Sequence, residues 1–228
     1  MRRRLFAGAL VVLAVAFAAL GVWQLERRAW KLDLIARVEA RAHAAPRSLG
    51  ALSGLGAGDA YARVRVSGAF DHDRETLTQA LTERGAGWWV LTPLRTDAGV
   101  VLVNRGFVPA ERRDPVARIA GQVAGVVTVT GLVRASEPGG GFLRRNDPAA
   151  GRWYSRDVAA IAAAKGLGPT APVFIDADGT PNPGGYPVGG LTVVTFRNAH
   201  LAYALTWFAL SAMSLGGVFG VLRSRSAA

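Results

Sequence analysis

The sequence predicts an integral membrane protein in which two transmembrane helices flank an extracytoplasmic α+β domain dominated by antiparallel β-sheet. Three observations carry that prediction. Leu5 to Trp23 contains no charged residue, and neither does Leu201 to Leu222. At about 1.5 Å rise per residue, each stretch makes a helix about as long as a bilayer core is thick. Between them the apolar residues recur in short alternating runs separated by Gly, Pro, Asn and Asp, which is the pattern of strands and turns.

The first helix is placed at residues 5–25. Arg2, Arg3 and Arg4 precede it, and Ala16-Phe17-Ala18 resembles a small-residue cleavage site, but the apolar run continues to Trp23 and exceeds a signal-peptide core, so an uncleaved anchor is expected. Residues 26–46 form an amphipathic continuation with Trp30, Leu34, Ile35 and Val38 at helical spacing, stopped by Pro46. Gly50 to Gly58 reads as a flexible connection.

The α+β domain is placed at residues 60–197. Its expected strands are Tyr61–Phe70, Glu75–Ala80, Trp88–Leu94, Val100–Val108, Val126–Val133, Val173–Ile175 and Leu191–Phe196, with a tight turn at "TDAG" and one short helix from the N-cap Asp157 to Lys165. Pro138–Gly141 and Gly179–Gly190 are loops. The second membrane helix is placed at residues 199–222, where Gly216 and Gly220 form a small-xxx-small pair suited to close packing. Arg2, Arg3 and Arg4 before the first helix, with Arg223 and Arg225 after the second, put both termini in the cytoplasm by the positive-inside rule. The main domain is then periplasmic, in a two-pass protein of the bacterial plasma (inner) membrane, since the N-terminal stretch lacks a Ser-rich amphipathic import pattern.

A net charge of +11 raises nucleic acid as a partner, but only Lys31 and Lys165 are lysines and no basic cluster carries interleaved aromatics, so no nucleic-acid binding is expected. With no cysteine there is neither a disulfide framework nor a thiolate metal site. "FDHDRE" sets His72 between Asp71 and Asp73, yet His43, His72 and His200 are the only histidines and a metal needs three or four converging ligands, so a turn is expected there. "DADG" (Asp176–Gly179) begins like a calcium loop, but the twelfth position is Pro187, and it too reads as a turn. "VNRG" (Val103–Gly106) reads as a strand end with a buried or paired arginine. No serine sits in a nucleophile elbow, and no enzyme activity is expected.

His200 is the residue that calls for an explanation. On a helix at 100° per residue, Trp207, Ala204, Ser211 and Ser214 share its face and Tyr203 lies about 60° away. An ionisable group at membrane depth is a candidate functional site. Three roles are open on the residues alone: a place in the interfacial aromatic belt, a hydrogen bond to Trp23 or Gln24 at the outer end of the first helix, or axial ligation of a haem iron. Haem would be suited by flanking aromatics and by Arg27, Arg28, Lys31 and Arg197 near its propionates.

Six ordered blocks, "GVWQLERRAWK", "RVRVSGAFDHDRE", "LTPLRTDAGVVLVNRGFVP", "VTGLVRASEP", "NDPAAGRWYSRD" and "TFRNAHLAYALTWFAL", resemble the surfeit locus family of cytochrome c oxidase assembly factors over Gly21 to Leu210. The resemblance implies a protein that binds haem a and assists its insertion into the catalytic subunit. It puts the axial ligand at His200, and the residue pattern read above then sets Tyr203, Trp207, Trp23, Gln24, Arg27 and Arg197 around the ring. The implied partners are the lipid bilayer, cytochrome c oxidase subunit I and, as a second candidate, haem a synthase. The alternative is a structural assembly chaperone that stabilises an oxidase intermediate without binding haem. Phe107 stands where the family often has tryptophan.

Overall fold

The computed structural model describes residues 2–49, 52, 54–192, 196 and 198–223. The chain divides into two compact units, one formed by Met1–Arg37 with Thr195–Ala228 and the other by Val38–Val194.

The first unit is a pair of helices, α1 (Arg2–His43) and α3 (His200–Arg223), both long and apolar enough to cross a membrane. The expected first helix and its continuation form one element: α1 runs unbroken for 42 residues and ends at His43, shortly before Pro46. The two helices are antiparallel, since Gln24 meets His200, Phe17 meets Trp207, Ala14 meets Ser211 and Leu10 lies against Gly217. Their seam follows a heptad. On α1 the seam runs through the less exposed Ala7, Leu10, Ala14, Phe17, Gly21 and Gln24; on α3 it runs through His200, Ala204, Trp207, Ser211, Ser214 and Val218, with Phe208 and Gly217 beside it. This 3.5-residue repeat is the signature of left-handed knobs-into-holes packing.

Small residues let the backbones approach. A Cβ added at Gly21 would fall 2.4 Å from the Phe208 ring, and Ser211 Oγ donates to the Ala14 carbonyl across the pair at 2.8 Å. The expected Gly216–Gly220 pair is not the contact: a Cβ at either would meet nothing within 4 Å, and it is Gly217 that faces Leu10. The outer faces of both helices expose Val12, Val15, Leu205, Met213 and Phe219.

The second unit is sheet-rich. It contains β1 (Arg47–Ser48), β2 (Arg63–Phe70), β3 (Thr76–Thr82), β4 (Gly85–Thr96), β5 (Gly99–Val108), β6 (Val126–Ala135), the two-residue pair β7 (Gly140–Gly141) and β8 (Arg144–Arg145), the helix α2 (Val158–Lys165), and β9 (Thr170–Ala177). Of the expected last strand, Leu191, Thr192 and Phe196 are not in a strand, and residues 193–195 lie outside the described residues. The main sheet has the order β1-β2-β6-β9-β5-β4-β3. A further pairing of Ala69 with Arg95 and Phe70 with Leu94 joins β2 to β4, closing β2, β6, β9, β5 and β4 into a small barrel. Most pairings are antiparallel, but β5–β9 and β1–β2 are parallel.

Strand alternation sorts two cores. Val64, Val66, Leu94, Val101, Val103, Val129, Val133, Val173 and Ile175 fill the barrel, capped by Leu52 and Leu55 from the stretch expected to be a flexible connection. The opposite faces of β4, β5 and β9 present Leu91, Val100, Leu102 and Phe174, which α2 covers with Val158 and Ile161, aided by Trp153 and Leu167. The Asp157 side chain accepts from the Ala160 amide and caps α2, as the sequence leads one to expect. Two hairpins close on the same device: Thr82 and Thr96 each accept from the amide two residues on and donate to the carbonyl of Gly85 or Gly99, both at positive φ.

Barrel closure uses glycine where an inward side chain would collide. A Cβ at Gly131 would lie 2.2 Å from the Asp176 carbonyl oxygen and 2.8 Å from Ile175 Cγ2. Gly131→Ala is therefore expected to lower the stability of this unit by about 1–3 kcal/mol, the usual cost of overpacking, measured as the midpoint of urea unfolding followed by tryptophan fluorescence.

Candidate functional site

Two clusters of polar side chains are built into the fold, one in each unit. In the helix pair, the ring of His200 stands at the first turn of α3, and its Nδ1 donates to Gln24 Oε1 at 2.7 Å. With the Gln24 carbonyl oxygen as the partner, Nδ1 is the donor, and Nε2 is the ring nitrogen that this bond does not use. This is the arrangement that prepares an imidazole as a metal ligand: one nitrogen fixed by an outer partner, the other presented.

The remaining expected residues are placed as follows. Trp207 stacks on Phe17, with centroids 5.6 Å apart and planes inclined by 25°, one heptad step along the seam from His200. Tyr203 and Trp23 are exposed, at 56% and 52%. Arg27 lies over the ring of Trp30 at 4.3 Å, a cation–π contact that holds the guanidinium beside α1. Arg197 lies outside the described residues. Of the three open roles for His200, the hydrogen bond to Gln24 is present. Phe17 was not foreseen; its signal was the heptad spacing, which sets it seven residues before Gln24 on the same seam.

In the sheet unit, "VNRG" turns out to anchor three different things. Asn104 donates to Asp176 Oδ1 at 2.8 Å and accepts from the Gly106 amide. Arg105 is buried and donates to the Gly121 carbonyl. Gly106, at φ +128°, permits the backbone of Val188 to pair with Phe107, since a Cβ there would lie 2.1 Å from the Val188 oxygen.

Asp176, expected in a turn, is instead buried inside β9 at 3% exposure. Besides Asn104 it accepts from Arg134 at 2.8 Å, Arg156 at 3.3 Å and Thr192 Oγ1 at 2.9 Å, so both carboxylate oxygens are satisfied twice. Sequence alone did not reveal this cluster, because its members come from β5, β6, β9 and two loops. Arg156 also forks onto Glu137 through Nε at 3.0 Å and a terminal nitrogen at 2.6 Å. Burial pulls the Arg156 guanidinium down, but the Glu137 bond and the Asp176 charge outweigh it and hold its pKa above the ordinary value. Burial likewise pushes Glu137 up, and Arg156 more than reverses this, leaving the carboxyl below its ordinary pKa. A cavity of about 340 Å³ opens beside the cluster, walled by Trp89, Leu81 and Leu191.

A depressed carboxyl pKa adds stability that is present above the ordinary carboxylate range and disappears as pH falls through the folded-state value. Glu137→Gln is expected to lower the Tm of the sheet unit near neutral pH and to converge on the unsubstituted protein as the pH drops below about 4. Parallel thermal melts across that range check it. Asp176→Leu is expected to be worse, because the half-buried Arg134 loses its counter-charge and Arg156 keeps only Glu137; a loss of up to about 3–5 kcal/mol follows from removing one partner of such a pair, read as a lower midpoint of urea unfolding.

The model of the SURF1 family matches residues 11–212. Human Surfeit locus protein 1 is 40% identical over 227 residues, covering 89% of this chain and 73% of its own. The SURF1-like protein of Monosiga brevicollis is 40% identical over 222 residues, covering 91% and 84%, and Surfeit locus protein 1 of Takifugu rubripes is 36% identical over 227 residues, covering 89% and 90%. A match that takes in most of α1, the first half of α3 and the whole sheet unit between them places this chain in the SURF1 family.

Proposed function

We propose that this protein is a cytochrome c oxidase assembly factor that holds haem a through His200 and presents it to subunit I of the oxidase. The observation that carries the reading is the orientation of His200: Gln24 engages Nδ1, which leaves Nε2 as the ring nitrogen available to iron. Haem a, when bound, supplies the iron centre and the wide apolar plate that the oxidase later uses. Tyr203 and Trp23, both exposed, offer aromatic faces beside it, and Arg27, with Arg197 of the adjoining segment, supplies positive charge for the propionates. Trp207 acts one step removed, since its ring is engaged by Phe17 and fixes the rotation of α3. The chain performs no bond chemistry; it binds, orients and hands over.

The same reading sets the protein in a bacterial plasma membrane with both termini in the cytoplasm and the sheet unit in the periplasm. Its support is the length of α3, about 36 Å at 1.5 Å per residue against a bilayer core of about 30 Å, the apolar outer faces of both helices, and Arg2, Arg3, Arg4 and Arg223 at the ends that would lie inside. Subunit I is the proposed recipient, and haem a synthase the proposed donor.

A second reading, a chaperone that stabilises an oxidase intermediate and binds no haem, draws on the sheet unit. Phe142 and Leu143 are exposed at 91% and 89%, and Val116, Ile119 and Val126 are also exposed, an apolar display suited to protein contact.

The visible absorption spectrum of the protein purified from a haem a-making host separates the two. Haem binding predicts a coloured protein whose His200→Ala variant is folded and colourless; a colourless unsubstituted protein, or full haem occupancy in the variant, overturns the reading. Gln24→Leu, which removes the outer partner of the ligand, is expected to weaken haem retention about 10- to 100-fold while leaving the helix pair intact, measured by transfer to an excess of apo-myoglobin.

A further inference from the structure

The strand pair β7–β8 sets Gly140 opposite Arg145 and Gly141 opposite Arg144, so its turn consists of Phe142 and Leu143 alone. Phe142 is 91% exposed and Leu143 89%, more than any other large hydrophobic side chain among the described residues. A turn tip in water ordinarily carries Gly, Asn, Asp or Ser. Leu143 takes φ +57°, a left-handed conformation that Gly or Asn adopts without strain and a bulky side chain does not. Turn chemistry therefore argues against leucine at this position, and no core contact argues for it.

The base of the hairpin is fastened to the sheet unit. The Gly139 amide donates to Asp157 Oδ2 at 3.0 Å, and Asn146 donates to Ser155 Oγ at 3.0 Å and accepts from the Tyr154 amide at 2.8 Å. Arg144 donates to Gln79 Oε1 at 2.9 Å and lies over the Tyr154 ring at 5.4 Å. The projecting pair is thus held in place before anything meets it. The charge beside it has one sign. Arg144 and Arg145 follow the tip directly, Arg145 is exposed and makes no hydrogen bond or ion pair among the described residues, and no carboxylate occurs from Gly139 to Asn146. The acidic residues on either side, Glu137 and Asp147, are taken by Arg156 and Arg152.

We propose that the Phe142–Leu143 tip inserts into the interfacial layer of a lipid bilayer, with Arg144 and Arg145 binding the phosphates of anionic lipids around it. The proposal rests on the reading of α1 and α3 as membrane spans: both ends of the sheet unit continue into those helices, so a bilayer is always at hand. Two side chains fall well short of the roughly 800 Å² per partner that a stable protein interface buries. A unit already tethered needs little further affinity, because its second contact is in effect intramolecular. Apolar side chains at the point with arginines at the shoulder suit a membrane surface, where binding grows with buried apolar area and with attraction to anionic headgroups.

The chain contains no cysteine, so a single introduced cysteine carries a spin label without background. Leu143→Cys, which keeps Phe142, and Leu205→Cys on the exposed face of α3 are labelled in the full chain and reconstituted in nanodiscs of phosphatidylcholine with phosphatidylglycerol. Asp97→Cys, at the exposed turn between β4 and β5, is the reference for water. Power-saturation EPR then compares collision with oxygen, which concentrates in lipid, and with a water-soluble nickel chelate. The expected result is lipid-type access at Leu143→Cys and Leu205→Cys, with nickel access at Asp97→Cys. Adding Arg145→Gln, or omitting phosphatidylglycerol, is expected to shift the tip label about fivefold toward its water-exposed population. Lipid access at Leu205→Cys with nickel access at Leu143→Cys overturns the proposal, leaves the spans standing and returns the tip to protein contact. Nickel access at both sites overturns the membrane reading and the proposal with it. A tip that stays inserted to the same extent with Arg145→Gln and without phosphatidylglycerol overturns the part given to the arginines.

Discussion

The heptad seam between α1 and α3 is the constraint on which the candidate ligand site depends. Two apolar helices gain little from hydrophobic association in a hydrocarbon environment, so their register must be set by steric fit and by the few polar groups they carry. Ala7, Ala14 and Gly21 on one helix, with Ala204, Ser211 and Ser214 on the other, remove the side-chain bulk that would hold the axes apart. Phe208 over Gly21 and Trp207 on Phe17 then fix the rotation, and Ser211 ties the pair through the Ala14 carbonyl. One further step along the seam brings Gln24 to His200. The partner that His200 meets is therefore set by packing that extends about 15 Å along the helices, at about 1.5 Å per residue, and is not a local accident.

The sheet unit solves a different problem with different means. A five-stranded ring is too narrow to carry a large side chain at every inward position, and Gly68 and Gly131 stand where β2 and β6 would otherwise collide with Arg95 and Asp176 backbone atoms. The outer face of β9, which also carries Phe174, buries a carboxylate, Asp176, that Asn104, Arg134, Arg156 and Thr192 satisfy. The parallel pairing of β5 with β9 follows from α2, which precedes β9 and returns the chain to the same edge while covering the outer core. Two charged networks thus lie near Asn104–Gly106 of β5, one around Asp176 and the other formed by Glu75 and Arg118, whose charges act on Arg105.

Much of this was legible in the residues. The two apolar helices, the sheet-rich character of the stretch between them, the turn at "TDAG" and the Asp157 cap of α2 depend on local pattern, and local pattern is what periodicity and capping rules read. The face shared by His200, Ala204, Ser211 and Ser214 was readable for the same reason, and the last three are the buried residues of α3. What was not readable is whatever joins distant segments. Gly216–Gly220 looked like a packing motif and does not meet α1, because which glycine faces that helix depends on the rotation set by Trp207 and Phe17. Asp176 looked like a turn residue beside Asp178 and Gly179, and only the β6–β9 register shows that it sits within a strand. Leu52 and Leu55, lying among glycines, gave no sign that they cap the barrel.

The central claim is that His200 Nε2 is the nitrogen that holds iron. Pulsed EPR of the ferric protein, prepared with ¹⁵N-histidine from a haem a-making host, measures that bond directly. The account predicts a hyperfine coupling from one directly ligated histidine nitrogen, absent in His200→Ala and restored in that variant by added imidazole. Bound haem with no histidine coupling, or with the coupling unchanged in His200→Ala, would contradict it.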